Sequence, residues 1–209
     1  MINFLKKAGA ARLFVAALAL AASLIALALY LSAGGTPQPA AGEQGRSQLA
    51  QAGDGAADEE LRRLRAHLER QPRDARAWVI LARLQADLDR FDEAARAYEK
   101  ALALPSKVAN DPAVWCEYAD ALGMTQGGKL AGRPRELIDR ALALNPNHPK
   151  ALEMAGSAEY ALGDYASALR FWRPLLALLE PGSRAHAELA AAIARAERLG
   201  MMAMPAQRQ

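Results

Sequence analysis

Three stretches of the chain carry apolar residues at the spacing of one helical face, and they recur at equal intervals. After Ala75 come Trp78, Leu81 and Ala82; after Pro112 come Trp115, Tyr118 and Ala119; after Pro149 come Leu152, Ala155 and Gly156. Each set is spaced i, i+3, i+4, the stripe that an amphipathic helix lays on a core. The three starts, residues 75, 112 and 149, lie 37 residues apart and 37 apart again. Each also carries a helix start signal: Asp74 before the first, Asp111-Pro112 at the second, His148-Pro149 at the third. A capping side chain there takes up free N–H groups, and proline at the first helical position has no N–H to leave unpaired.

Breakers at Asp89-Arg90-Phe91 and Gly163-Asp164-Tyr165 divide the first and third stretches in two, and a second apolar stripe follows each: Ala94, Tyr98, Ala101 and Ala168, Trp172, Leu175. The small residue that ends each first stripe lets the second helix approach closely. The repeating unit is therefore a helix pair. The second unit is predicted to carry about three extra residues between its helices. Flanking helices are predicted over residues 58–70, with Leu61, Leu64 and Leu68 on one face, and over 183–199, with Leu189, Ile193 and Ala196 inward and Gly200 as the stop. Residues 200–209 read as a tail.

The pattern of two helices per unit, with Ala94-x₃-Tyr98 and Ala168-x₃-Trp172 and with Pro72, Pro146 and Pro181 at unit ends, resembles the tetratricopeptide repeat (TPR). Gln85, Leu122 and Glu159 depart from it, standing where the repeat has Tyr. The resemblance implies an all-α helical solenoid with a terminal helix at either end of repeats 75–111, 112–148 and 149–182.

Ahead of the repeats the pattern changes. Residues 13–31, LFVAALALAASLIALALYL, are nineteen residues whose only polar members are Ser23 and Tyr30. As a helix they measure roughly 28 Å, enough to cross a hydrocarbon core of about 30 Å. Lys6, Lys7 and Arg12 precede the run and no Lys or Arg follows it until Arg46, which places residues 1–12 in the cytoplasm and the rest outside. A cleaved signal peptide shares the basic start but has a shorter apolar region, about 7 to 15 residues. Residues 32–57, with six Gly, seven Ala, two Pro and one large apolar residue, Leu49, are expected to be a flexible linker.

Composition agrees with the helices. Four Val, five Ile and two Thr are too few good strand formers for a large sheet. The formal net charge of +3 looks basic, but removing Lys6, Lys7 and Arg12 leaves 23 basic against 23 acidic residues. The basicity is thus a topology signal and gives no support to nucleic-acid binding. A single cysteine, Cys116, forbids an intramolecular disulfide. Gly123 to Lys129, GMTQGGK, imitates a phosphate-binding loop, but Leu130 stands where Ser or Thr must hold Mg²⁺ and the stretch joins two helices. His67, His148 and His186 fall on separate segments and read as surface or capping residues; no metal, no cofactor and no catalytic set is expected.

A second stripe on the first helix of each unit is the candidate site. Arg76, Val79, Arg83 and Asp87, then Cys116, Asp120 and Met124, then Lys150, Glu153, Ser157 and Tyr160 would line one wall suited to an extended or helical peptide. Cys116 is read as an ordinary small side chain, with thiol exchange with a client as the alternative.

At the second repeat the resemblance narrows. The run from Asp111 to Ala151, DPAVWCEYADALGMTQGGKLAGRPRELIDRALALNPNHPKA, with its elongated interhelical loop, looks like the periplasmic TPR domain of bacterial c-type cytochrome biogenesis proteins of the CycH/CcmI type and the related NrfG. The resemblance covers residues 58–199. It implies a chaperone-like subunit that holds the C-terminal helix of apocytochrome c in its groove and presents the haem site to haem lyase subunits, anchored by one helix in the inner membrane. The alternative is a TPR scaffold for assembly of another cell-envelope complex.

Overall fold

The structure is a computed structural model that describes the backbone of residues 41–203 and side chains within 55–202. The chain divides into two units, residues 1–55 and 56–209. The expected membrane span at 13–31 lies outside the described residues, and no helix among the described residues is long and apolar enough to cross a membrane.

Among the described residues eight α-helices follow in order: α1 (Ala41–Arg70), α2 (Ala75–Asp87), α3 (Phe91–Ala103), α4 (Pro112–Thr125), α5 (Arg133–Leu144), α6 (Pro149–Ala161), α7 (Tyr165–Leu178) and α8 (Arg184–Ala203), with a 3₁₀ turn, Lys107–Asn110, before α4. The first helix of each repeat starts at the residue the sequence marks, and the start signals act as caps. Asp74 Oδ1 accepts from Arg76 and Ala77 N–H at 3.1 Å, Asp111 from Ala113 N–H at 3.0 Å, and His148 Nδ1 from Ala151 N–H at 3.3 Å.

Within repeats one and three the turn is the same. Asp89 (φ 57°) and Gly163 (φ 79°) occupy equivalent left-handed positions, and the following N–H, Arg90 or Asp164, bonds back to the carbonyl of Gln85 or Glu159 at 2.8 and 3.0 Å. This closes the helix ends that would otherwise leave carbonyls unpaired.

Three boundaries differ from the sequence reading. α1 begins at Ala41, so residues 41–57 are helix where a flexible linker was expected. The segment has a single large apolar residue, Leu49, which is why the sequence reads as a linker, but Ala, Gln, Glu and Arg are good helix formers. Extending a helix already nucleated by residues 58–70 adds one local hydrogen bond per residue. α8 runs through Gly200 to Ala203, because Gly200 keeps a right-handed helical backbone instead of the left-handed conformation of a helix stop. Finally, seven residues, 126–132, separate α4 from α5, against three (88–90 and 162–164) in repeats one and three, so the second interhelical loop is four residues longer where about three were expected. The 37-residue period survives because the eight-residue connection 104–111 is followed by a four-residue one, 145–148.

From α2 onward each helix packs on the next, and the first helices also meet one another, α2 with α4 and α4 with α6. One core runs from Leu61 and Leu68 of α1 through Tyr98, Leu137 and Ile138 to Met154 and Ala155. A smaller cluster of Ala168, Trp172, Ile193 and Ala196 seals α8 onto α7. Trp78 and Trp115 share one role: each indole N–H donates to the carbonyl six residues earlier, Pro72 at 3.0 Å and Ala109 at 2.9 Å. The two departures from the TPR pattern with polar side chains are resolved differently. Glu159 is paired with Arg135 across α5 and α6, while Gln85 is 4% exposed and its Oε1 has no hydrogen-bond partner.

Candidate peptide-binding wall

α2, α4 and α6 each carry residues at the second, fifth and ninth helical positions toward one surface, because the other faces are taken by the second helices. Three clefts run along that surface. The first, 340 Å³, lies between α2 and α4 and is lined by Arg76, Val79, Ile80, Arg83, Lys107, Val108, Asp111 and Val114. The second, 240 Å³, is lined by Ala113, Cys116, Glu117, Asp120, His148 and Lys150. The third, 440 Å³, opens between α6, α7 and α8; Lys150, Glu153, Ser157 and Glu188 edge a floor that includes Trp172, Leu175, Leu179 and Leu189. Lys150 lines both the second and the third, so these two adjoin.

Eight of the eleven stripe residues therefore meet along one wall: Arg76, Val79 and Arg83, then Cys116 and Asp120, then Lys150, Glu153 and Ser157. Asp87 and Met124 are exposed but line none of these clefts. Tyr160 instead packs its ring 5.3 Å from Tyr165 and 5.4 Å from Trp172, supporting the third cleft from behind.

Val79 (5% exposed) and Cys116 (1%) are corrections of a different kind. Both belong to the core, filling the contact between successive first helices, and they give the clefts a floor without offering a side chain to a ligand. Cys116 Sγ lies 3.8 Å from His148 Nδ1, the nitrogen that also caps α6. Burial pushes the thiol up to about 12, outweighing the opposing pull of Lys150. A buried thiol with a raised pKa is a poor nucleophile, which argues against thiol exchange.

Sequence reasoning missed Ile80 and Glu117, which sit one residue after Val79 and Cys116. Both are on the wall: Ile80 is 47% exposed, and Glu117 receives Arg83 Nε and Nη2 at 2.9 Å each, with Tyr98 Oη donating at 3.2 Å. Burial raises the Tyr98 hydroxyl pKa, so it remains a donor to Glu117. A helical wheel with Arg76 as origin puts Ile80 on the same side; the contributions of Lys107, Trp172 and α8 have no such local signal.

The other face of α2 borders a separate cleft of 370 Å³ between α1, α2 and α3, where Lys100 Nζ lies 4.5 Å from the centre of the Trp78 ring.

Stacked helix pairs, left-handed turns at fixed positions and an open wall built by the first helices define a tetratricopeptide-repeat solenoid. A solved structure of MamA protein shares that fold, with a TM-score of 0.59 over 75% of this chain and 81% of that one at 17% identity. The chain belongs to the family described as the cytochrome c-type biogenesis protein H TPR domain, whose model matches residues 44–186. The cytochrome c-type biogenesis protein CycH of Pseudomonas aeruginosa is 32% identical over 178 residues, 85% of this chain and 42% of that protein. CycH of Bradyrhizobium diazoefficiens is 34% identical over 111 residues, 53% of this chain and 29% of its own length. The formate-dependent nitrite reductase complex subunit NrfG of Escherichia coli O157:H7 is 25% identical over 122 residues, 58% of this chain and 60% of that subunit. The chain thus spans less than half the length of these CycH relatives.

Proposed function

We propose that this protein acts in c-type cytochrome biogenesis as a binding subunit, holding the C-terminal helix of apocytochrome c along the wall of α2, α4 and α6 while haem lyase subunits act on the client's haem site. What carries the reading is family membership over residues 44–186 together with the run of clefts along that wall, whose apolar floor and charged edges suit an amphipathic peptide. The work in this reading is binding, which is supported by the burial of Cys116 within the cleft floor. The domain lies on the periplasmic side of the inner membrane, tethered by residues 13–31, a reading supported by the charge asymmetry around that segment.

Anisotropy titration of the full chain with a fluorescent peptide of an apocytochrome C-terminal helix tests the binding. Saturable binding is expected, weakened by Ser157→Arg, which fills the third cleft from an exposed position. No binding at high micromolar peptide, together with normal haem attachment in a deletion strain, would overturn it. Protease accessibility of the repeats in spheroplasts, and their retention in the membrane fraction, test the topology.

A further inference from the structure

The wall changes sign along its length. Its first cleft is lined by three cations, Arg76, Arg83 and Lys107, against one carboxylate, Asp111. The second cleft sets Glu117 and Asp120 against Lys150 and His148, and the third sets Glu153 and Glu188 against Lys150.

Two charges of the first cleft are already committed. Arg83 makes a two-pronged contact with Glu117, and Asp111 caps α4 through Ala113 N–H. Arg76 and Lys107 are exposed and enter none of the ion pairs found among the described residues. Between them the floor is apolar: Val79 and Val114 are buried, Val108 is half-buried, and Ile80 stands 47% exposed. Lys107 is there because the connection 104–111 is eight residues long and folds its middle into the turn Lys107–Asn110; the four-residue connection 145–148 has no such turn and brings only His148 to the next cleft.

We propose that this cleft is the subsite for an acidic side chain of the bound peptide, with an aliphatic side chain of the same peptide seated on Ile80 and Val108. The inference rests on the groove reading above and adds direction to it. Residues three or four apart on a helix share a face, so one turn of an amphipathic helix supplies both groups. A carboxylate is favoured beside the unpaired Arg76 and Lys107, whereas in the second and third clefts the one lysine, Lys150, is already paired with Glu153 and Asp120 stands beside it, so the peptide lies with its acid-bearing turn at α2.

The test is anisotropy titration of the full chain with a synthetic amphipathic helical peptide blocked at both ends, carrying leucines and one Glu four residues from a Leu. The double substitution Arg76→Gln with Lys107→Gln is expected to weaken binding about tenfold at low salt, and each single change less. Replacing the peptide Glu by Gln should weaken binding equally and remove the sensitivity to the double substitution. Added salt should shrink the difference. Both side chains are exposed, so an unchanged urea midpoint is expected to accompany the loss. If the double variant weakens Glu and Gln peptides alike, or neither, the subsite is wrong while the groove reading stands. If a Gln peptide with a free C-terminus binds like the blocked Glu peptide and responds to the same variant, a terminal carboxylate is the ligand and the side-chain assignment falls. If Ser157→Arg also has no effect on any peptide, both readings fall.

Discussion

Gly156 is where the third repeat depends most sharply on one missing methyl group. A Cβ at this position of α6 would sit 2.2 Å from Trp172 Nε1, 2.3 Å from Cδ1 and 2.8 Å from Cε2. Ordinary contact needs about 3.4 Å or more, so the indole would have to move by more than 1 Å, roughly, or the two helices part. Trp172 is 6% exposed and packs with Ala168, Ile193, Ala196 and the Tyr160 ring, and its N–H reaches the Glu153 carbonyl at 3.4 Å. Overpacking of this kind costs about 1–3 kcal/mol, and disturbing the aromatic pair adds about 1 kcal/mol. Against that, Ala favours helix over Gly by about 1 kcal/mol. Gly156→Ala is therefore expected to destabilise the repeats by about 1–3 kcal/mol, a fall of several degrees in Tm, read by urea and thermal unfolding monitored by circular dichroism. In a Trp172→Leu background the obstruction is gone, and the same substitution should become neutral or stabilising. Because Trp172 forms part of the floor of the third cleft, peptide affinity should fall along with stability only in the Trp172 protein. A Gly156→Ala protein more stable than the parent would refute the packing argument.

Cys116 should resist maleimide at about pH 8 in the native state and react on unfolding in urea, since burial both seals the thiol and raises its pKa to about 12; rapid native labelling would contradict its placement. Gln85→Met should raise the urea midpoint by the equivalent of about 1 kcal/mol, because it removes a buried carbonyl oxygen that has no partner. The Asp74 carboxyl is held below its ordinary value first by the His67 hydrogen bond and then by the Ala77 N–H. A lowered folded pKa means the stabilisation is present above the ordinary aspartate range and lost as pH falls through the lowered value. Asp74→Ala should thus cost about 1 kcal/mol near neutral pH, with the difference from the parent narrowing toward about pH 3; a constant difference across that window would disprove the linkage.

Much of the fold was legible because its determinants are local. The starts at Ala75, Pro112 and Pro149, the caps Asp74, Asp111 and His148, and the turns at Asp89 and Gly163 all follow from which backbone groups a nearby side chain can satisfy and which φ a residue tolerates. The same local reading found most of the wall, since helical periodicity alone sets Arg76, Arg83, Asp120, Lys150 and Ser157 on one side. It overreached at α1, where a lack of packing partners was taken as a lack of helix, although helical hydrogen bonds need no partner outside the segment.

What the sequence by itself determined, then, is the period, the helices and the side each residue faces. Tertiary structure decided which of those sides remain open. Val79 and Cys116 share the stripe with Arg83 and Asp120, yet the stacking of one first helix on the next buries the former pair and leaves the latter exposed. The third cleft exists only because α7 and α8 bring Trp172 and Leu189 to the edge of α6, and the first has its extra cation only because a lengthened connection, packed on α3 and α4, reaches the mouth of the cleft beside α2. A face of a helix is fixed by 3.6 residues per turn; its exposure is fixed by neighbours distant in the chain, and no local pattern records them.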